Sequence, residues 1–412
     1  MTVQRLLIRA DASAEIGTGH VMRCLALAQA WQDRGGAVTF CCASLPPALA
    51  SRLASENIIV CMLDVAAASM ADADAVIRLA GEIGASAVVV DGYVFGAAYQ
   101  RRLKDAGLRL LFIDDNVHAE QYYADFVLNQ NIHADAEMYM HCEPYTRLLL
   151  GTSYALLRRE FRYWCGWRRP TINSVEKLLL TLGGSDPNNL TEQILTLLED
   201  HYQTLSIRVI TGSGNLHYGS LKQRAQQSSH RVTVHQNVSD MPEQMAWADI
   251  AISASGTTVW ELIFMGLPTV LVIAADNQRE IAERLSTMNV ARLATLSDLV
   301  AVLGEFLESP PTIDRTLVDG YGVDRIVAHL RNDRIWLRRA LYSDAQMLWN
   351  WVNDPHVRQM SFESNPISWE THLAWLNSSL EQSNRAVLIG YTMNNEPIGQ
   401  IRLDKRDRLR RD

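Results

Sequence analysis

The sequence predicts an α/β protein with two successive doubly wound lobes, a cleft between them, and a smaller α+β piece at the C-terminal end. Three observations carry this. Short apolar runs ending in Asp or small polar residues alternate with segments of helical spacing, as in a parallel sheet covered on both faces. The series breaks off near residue 150 and restarts near 175, after a stretch rich in aromatics and arginines. From about Trp336 the alternation is lost.

The first lobe is expected over 1–155. VQRLLIRADA is a strand that stops at Asp11, SAEIGTG is a loop, and HVMRCLALAQAWQDRGG is a helix closing on glycines. AVTFCCAS is a second strand, and SAVVVDGY and LRLLFIDDN repeat the apolar run ending in Asp. In such sheets ligands gather beyond the carboxyl ends of the strands, so Asp11, Asp91, Tyr93 and Asp114 fall where chemistry is expected. Residues 156–172, ending near Pro170, read as the inter-lobe connection. The second lobe, 173–333, carries KLLLTLGGSD, SIRVITGSG, RVTVHQNV, DIAISASGTT and PTVLVIAADNQ. Domain interfaces favour pockets, which places the site between the lobes. The remaining piece, 334–412, holds a strand, a helix opened by Ser343 and Asp344, a capped helix in SWETHLAWLNSSLE, and a hairpin around Asn394-Asn395. A charge run, DKRDRLRRD, ends the sequence.

Composition bounds the function. With 48% apolar and 20% charged residues among 412, the chain buries real cores and is not disordered. There are 38 Lys+Arg against 46 Asp+Glu, a net charge of −8, which argues against broad nucleic-acid binding but leaves room for one local anion pocket. No window has the roughly 18–20 apolar residues of a membrane span, and the N-terminus turns polar too soon for a secretory signal. The scattered cysteines (Cys24, Cys41, Cys42, Cys61, Cys142, Cys165) suit reduced thiols in a cytoplasmic protein. No H-E-x-x-H or Cys/His ligand spacing occurs, so neither a metal nor a cofactor is expected.

Four loops carry candidate chemistry. Gly17-Thr18-Gly19-His20 follows a strand and opens a helix, where backbone N–H groups favour an anion. Met22 occupies the third glycine position of a dinucleotide fingerprint, and no P-loop is present. Here His20 is either a helix-start residue of a tight turn or a base in the cleft. Arg23, one turn on, would then touch an anionic substrate or orient the histidine. In the other lobe Ser253-Ala254-Ser255-Gly256-Thr257-Thr258 leads into VWELIFMG; small hydroxyls and a glycine there suit a diphosphate, and Glu261 suits a ribose diol. The alternative is an N-cap with Glu261 as capping-box partner. Gly183-Gly184-Ser185-Asp186 and Asp276-Asn277-Gln278 also end strands; each is a plain βα turn or a further part of the cradle. Asp114-Asp115 reads as a strand-end turn rather than a Mg²⁺ site.

In combination these motifs are familiar. IRADASAEIGTGHVMRCLALA, VVVDGY, VLNQN, LGTSYALLRREF, TLGGSDPNN, SASGTTVWEL and AADNQ, in order over about residues 3–330, resemble the UDP-sugar hydrolases of pseudaminic acid biosynthesis. That family acts on UDP-2,4-diacetamido-2,4,6-trideoxy-β-L-altropyranose and is similar to MurG-type glycosyltransferases of GT-B fold. The resemblance implies that His20 activates water and that Gly17, Gly19 and Arg23 complete its motif. It places Asp11, Asp91 and Tyr93 near the sugar. It also implies that Gly183, Gly184, Ser185, Ser255, Gly256, Thr257, Thr258, Glu261, Asn277 and Gln278 hold UDP, without a metal. The tail, LRRALYSDAQMLWNWVNDPHVRQMSFESNPISWETHLAWL with PIGQIRLD, resembles the first half of a GNAT N-acetyltransferase. It stops before the loop that would hold the pyrophosphate of acetyl-CoA, so a truncated module without acetyl transfer is expected.

The implied chemistry needs one base. UDP departs as a stabilised anion, so the second carboxylic acid of an inverting glycosidase is dispensable, and a histidine can accept a proton at neutral pH. Water attacking from the face opposite UDP would invert the anomeric carbon. The rivals are a UDP-sugar-dependent glycosyltransferase, a non-catalytic UDP-sugar-binding module and, if the tail matters most, an acetyltransferase. Fold analogy does not separate the first from a hydrolase. The sequence leaves oligomeric state open.

Overall fold

The apolar runs of the first half pair as one parallel sheet. In a computed structural model, which describes residues 3–13, 15–172, 174–201, 205–308, 313, 315–382 and 384–405, its strands are β1 (Arg5–Ala10), β2 (Ala37–Cys42), β3 (Ile59–Met62), β4 (Ala85–Asp91), β5 (Leu110–Ile113), β6 (Phe126–Asn129) and β7 (Arg147–Leu150). They lie in the order β3-β2-β1-β4-β5-β6-β7. Successive side chains of a strand point to opposite faces, and both faces are covered: Leu6 and Ile8 enter one core cluster while Leu7 enters the other. β3, β6 and β7, four residues each, are not among the strands expected from the sequence.

The second sheet repeats the plan. β8 (Lys177–Thr181), β9 (Ser206–Thr211), β10 (Arg231–Gln236), β11 (Ile250–Ala254), β12 (Thr269–Val272) and β13 (Arg292–Ala294) lie in the order β10-β9-β8-β11-β12-β13, again parallel. In both sheets the direction of winding reverses at the first strand, and a crevice opens there beyond the carboxyl ends. The register at that point pairs Ala10 of β1 with Asp91 of β4. In the other lobe Thr181 of β8 pairs with Ser253 of β11. The loop after β1 therefore stands beside the end of β4, and GGSD stands beside SASGTT.

The chain separates into two compact units, Met1–Trp164 with Arg168–Leu330, and Cys165–Trp167 with Arg331–Asp412. Both parallel sheets belong to the first. One expected boundary is corrected. The helix Gly322–Arg331 was assigned with the second lobe, yet its Val323, Ile326, Val327 and Leu330 pack with Leu6, Ile8 and Trp31 in the first lobe's core. Its apolar stripe completes that core, which outweighs proximity in sequence. At its start, a Cβ on Gly322 would lie 2.3 Å from the Ala155 carbonyl oxygen, so only glycine allows this close return.

The second unit is an antiparallel sheet of β14 (Ile335–Arg339), β15 (Arg385–Thr392) and β16 (Pro397–Asp404) in that order, with helices Ala345–Val352 and Trp369–Glu381. Ser368 caps the longer helix by accepting from the Thr371 N–H, and Asn395 takes the left-handed conformation in the β15–β16 turn. Asp344 stands at the entry to the helix Ala345–Val352, where its carboxylate accepts from Leu341 N–H and pairs with Arg338. The charge run beyond Lys405 lies outside the described residues. All six cysteines are free, and no helix among the described residues is long and apolar enough to cross a membrane.

Truncation of a buried isoleucine to alanine costs about 2–5 kcal/mol. Ile326→Ala should therefore lower the urea midpoint of the first unit to that extent, although residue 326 follows the second lobe in sequence. An unchanged midpoint would show that this helix adds nothing to the first lobe's core.

Candidate active site

A cleft of about 1110 Å³ runs between the two lobes, above the usual size of a small-molecule site. The loops after β1 and β4 form one wall, and the loops after β8, β9, β11 and β12 form the other. Every residue that the resemblance implies for the site lines it, whereas Asp114, Ser253 and Asp276 do not.

On the first wall, His20 sits in the first turn of the helix Gly19–Asp33 and is 6% exposed. Its Nδ1 lies 2.7 Å from Oδ1 of Asp91, which is fully buried. Arg23, on the same helix face, donates to both Asp91 oxygens at 2.6 and 2.7 Å and to Asp115 at 2.5 Å. Burial opposes ionisation of Asp91, but the charges and hydrogen bonds of Arg23 and His20 outweigh it and hold the carboxyl well below the usual carboxylate range. An ionised Asp91 accepts, so Nδ1 carries a proton, and Nε2 is the nitrogen left for the cleft. Nε2 makes no hydrogen bond among the described residues. The Tyr93 ring meets the imidazole edge-on at 4.8 Å, and its hydroxyl donates to Asp115 at 3.1 Å. Partial burial and Asp115 push the phenol up to about 12, so it remains a neutral donor.

Four expectations are refined by this geometry. Asp91 is fully buried behind His20, with Oδ1 on the histidine's Nδ1. Arg23 is spent on Asp91 and Asp115, so of its two readings the structure shows it orienting the histidine's partner. Asp11 accepts from the Ala43 and Ser44 N–H groups at 2.7 and 3.1 Å and pairs with buried Arg9, fixing the end of β2 at the edge of the cleft. Asp114 also turns inward, accepting from Asn116 N–H, Tyr122 and His118. Its neighbour Asp115 is the one that faces the site. Among the described residues no group of His, Cys, Asp or Glu is arranged to hold a metal.

The second wall is built from backbone and small hydroxyls. Gly183, with φ of +91°, turns the chain after β8, and Gly184 and Ser185 follow. The loop after β9 packs on it backbone to backbone: a Cβ on Gly212 would lie 2.7 Å from the Gly184 Cα. After β11, Thr257 precedes the short helix Thr258–Phe264 without a side-chain capping bond. The capping-box alternative for Glu261 is therefore not what forms; its Oε1 instead accepts from Arg158 at 2.9 and 3.2 Å. Burial raises the Glu261 carboxyl despite Arg158. The hydroxyls of Ser255 and Ser213 are buried and have no hydrogen-bond partner among the described residues. Such groups cost about 1–3 kcal/mol each unless something meets them. Across the cleft, Asn277 approaches the Tyr93 hydroxyl at 3.5 Å, and Thr18 lies against Gly184.

Sequence reasoning missed Asp115, Arg158 and Ser213. Asp115 was masked by its turn-forming neighbour, Arg158 lies in the inter-lobe connection, and Ser213 sits in a loop with no motif beyond glycines. A further charge relation follows: each arginine lining the cleft is in an ion pair, Arg23 with Asp91 and Asp115, Arg52 with Glu56, and Arg158 with Glu160 and Glu261.

Comparison with known proteins fits this geometry. Residues 178–315 match the Glycosyltransferase family 28 C-terminal domain. The crystal structure of MurG from Acinetobacter baumannii aligns with a TM-score of 0.52 over 80% of this chain and 99% of that one, at 17% identity, and the two lobes have the GT-B fold. An uncharacterized protein of Methanocaldococcus jannaschii is 23% identical, covering 97% of this chain and 84% of its own. A UDP-2,4-diacetamido-2,4,6-trideoxy-beta-L-altropyranose hydrolase of Campylobacter jejuni is 28% identical, covering 51% of this chain and 70% of its own.

Because the folded-state Asp91 carboxyl is depressed, its contribution to stability is complete above the unfolded value of about 3.9 and is lost as pH falls below it. Asp91→Asn removes the partner of a buried arginine and should cost about 3–5 kcal/mol at pH 7. The gap to the parent should narrow in urea unfolding series below about pH 4. A gap independent of pH would mean that Asp91 is not held ionised by Arg23 and His20.

Proposed function

We propose that the protein hydrolyses a UDP-activated 2,4-diacetamido-2,4,6-trideoxy sugar of the altrose type in the cytoplasm, giving UDP and the free sugar with inversion, in pseudaminic acid biosynthesis. One observation carries the reaction type: a histidine whose Nδ1 is fixed by a buried, ionised aspartate, its Nε2 unengaged, stands across a cleft from unpartnered hydroxyls and glycine backbone. The name borne by the Campylobacter jejuni relative supports the substrate class.

In this reading His20 Nε2 takes the proton of a water as its oxygen attacks the anomeric carbon, and Asp91 stabilises the imidazolium that forms. The C–O bond to the diphosphate breaks and its electron pair leaves with UDP. Backbone N–H groups of Gly184, Ser185 and Gly256, with the Ser213 and Ser255 hydroxyls, receive the diphosphate charge. Glu261, held by Arg158, meets the ribose hydroxyls, and Thr257, Thr258, Asn277 and Gln278 complete the nucleotide's surroundings. Asp11 and Tyr93 border the sugar. The C-terminal unit is given no step in this reading.

A second reading is a glycosyltransferase, favoured by the match of residues 178–315 to a transferase domain family. The two part in proton NMR of the protein with the diacetamido-trideoxy UDP-sugar, no acceptor added. Release of UDP and one inverted anomer is expected; saturable binding without turnover favours the transferase. His20→Ala should lower turnover about 10²–10⁴-fold while UDP still binds, and near-parental turnover would remove His20 from the role of base. Gly212→Ala forces the two glycine loops apart and should weaken UDP binding about tenfold or more by calorimetry. Unchanged affinity would take the β8 and β9 loops out of the nucleotide site.

A further inference from the structure

The two walls of the cleft differ in an unexpected way. Among the described residues, the exposed large apolar side chains that line it are Ile16, Tyr93 and Val94, all from the first lobe. Ile16 is 49% and Val94 is 62% exposed. Both sit beside hydrogen bonds that tie their loops. Ser13 accepts from the Glu15 and Ile16 N–H groups through its hydroxyl and from Gly17 N–H through its carbonyl, which fixes the loop leading to His20. In the other turn Phe95 N–H donates to the Gly92 carbonyl, and the Phe95 ring is buried against Gly92, where a Cβ would come within 2.9 Å. Phe95 is 1% exposed, and this anchor leaves Val94 beside it facing outward.

Scattered exposed apolar residues need no explanation, but two on hydrogen-bonded loops flanking a histidine in a cleft do. A sugar rich in hydroxyls would lose hydrogen bonds to water against such side chains and gain none. Methyl groups would be favoured there, at about 0.8 kcal/mol per buried carbon. We infer that Ile16 and Val94 are specificity-determining residues that select a pyranose carrying methyl groups, as a 6-deoxy carbon and as N-acetyl caps, against its hydroxylated counterparts. This inference rests on the reading of the cleft as a UDP-sugar site and adds how the sugar is chosen.

The test uses the full chain and pairs of UDP-sugars that differ only at carbon 6 (methyl or hydroxymethyl) or only at carbon 4 (acetamido or hydroxyl). Binding is read by calorimetry and hydrolysis by NMR. The parent should prefer each methyl-bearing member by about tenfold or more. Val94→Thr, which changes polarity with little change of shape, and Ile16→Thr, read against Ile16→Val to separate the lost carbon from the added hydroxyl, should each erode one of the two preferences several-fold. UDP alone should bind all variants equally, which also reports an intact cleft. No preference in the parent, or preferences that survive in the double variant, would overturn the inference. Preferences in binding without any turnover would leave it standing and remove the hydrolase reading instead.

Discussion

The ion pair between Arg23 and Asp91 is the constraint on which the first wall depends. Neither charge has access to water, so each is tolerable only because the other is there. Their pairing locks the helix Gly19–Asp33 against the end of β4, fixes Nδ1 of His20, and, through Asp115, holds the Tyr93 hydroxyl. It exists because β1 and β4 are neighbours in the sheet. Strand order has thus been turned into the orientation of a single nitrogen atom.

The second wall follows a different physical plan. It offers glycine backbone and small hydroxyls, and the arginines nearby are already neutralised by carboxylates. An anion there is met by dipoles rather than by a free cation. Preorganised dipoles need no rearrangement as charge develops, and in the proposed reaction they would hold the departing diphosphate without the strong point-charge attraction that would delay its release.

Much of the fold was legible because parallel strands buried on both faces must be apolar throughout. AVTFCC, SAVVVD and DIAISA could hardly be anything else once helical segments stood between them. The strands β3, β6 and β7 were not among those read, whereas β5 and β12, equally short, stood out because their apolar runs end in Asp or small polar residues. At the site, His20 could be picked out because a polar residue opening a helix after a strand is placed by the chain itself. The role of Asp91 could not, because it depends on which strand lies next to β1. Arg158 was invisible for the same reason: its partner Glu261 lies 103 residues away in the other lobe. The boundary error at the helix Gly322–Arg331 has a similar origin, since an amphipathic stripe says that a helix has a core to cover but not which one.

That returning helix has a mechanical consequence. The chain passes between the lobes twice, once through the residues after Tyr154 and again before Gly322, and the two passages touch where Gly322 meets the backbone of Tyr154 and Ala155. Arg325 fastens them further by donating to the Ser153 carbonyl at 2.8 Å. Two adjacent threads thus join the lobes side by side. Such a double connection resists twist and sideways slip of one lobe on the other, which keeps His20 opposite the glycine loops.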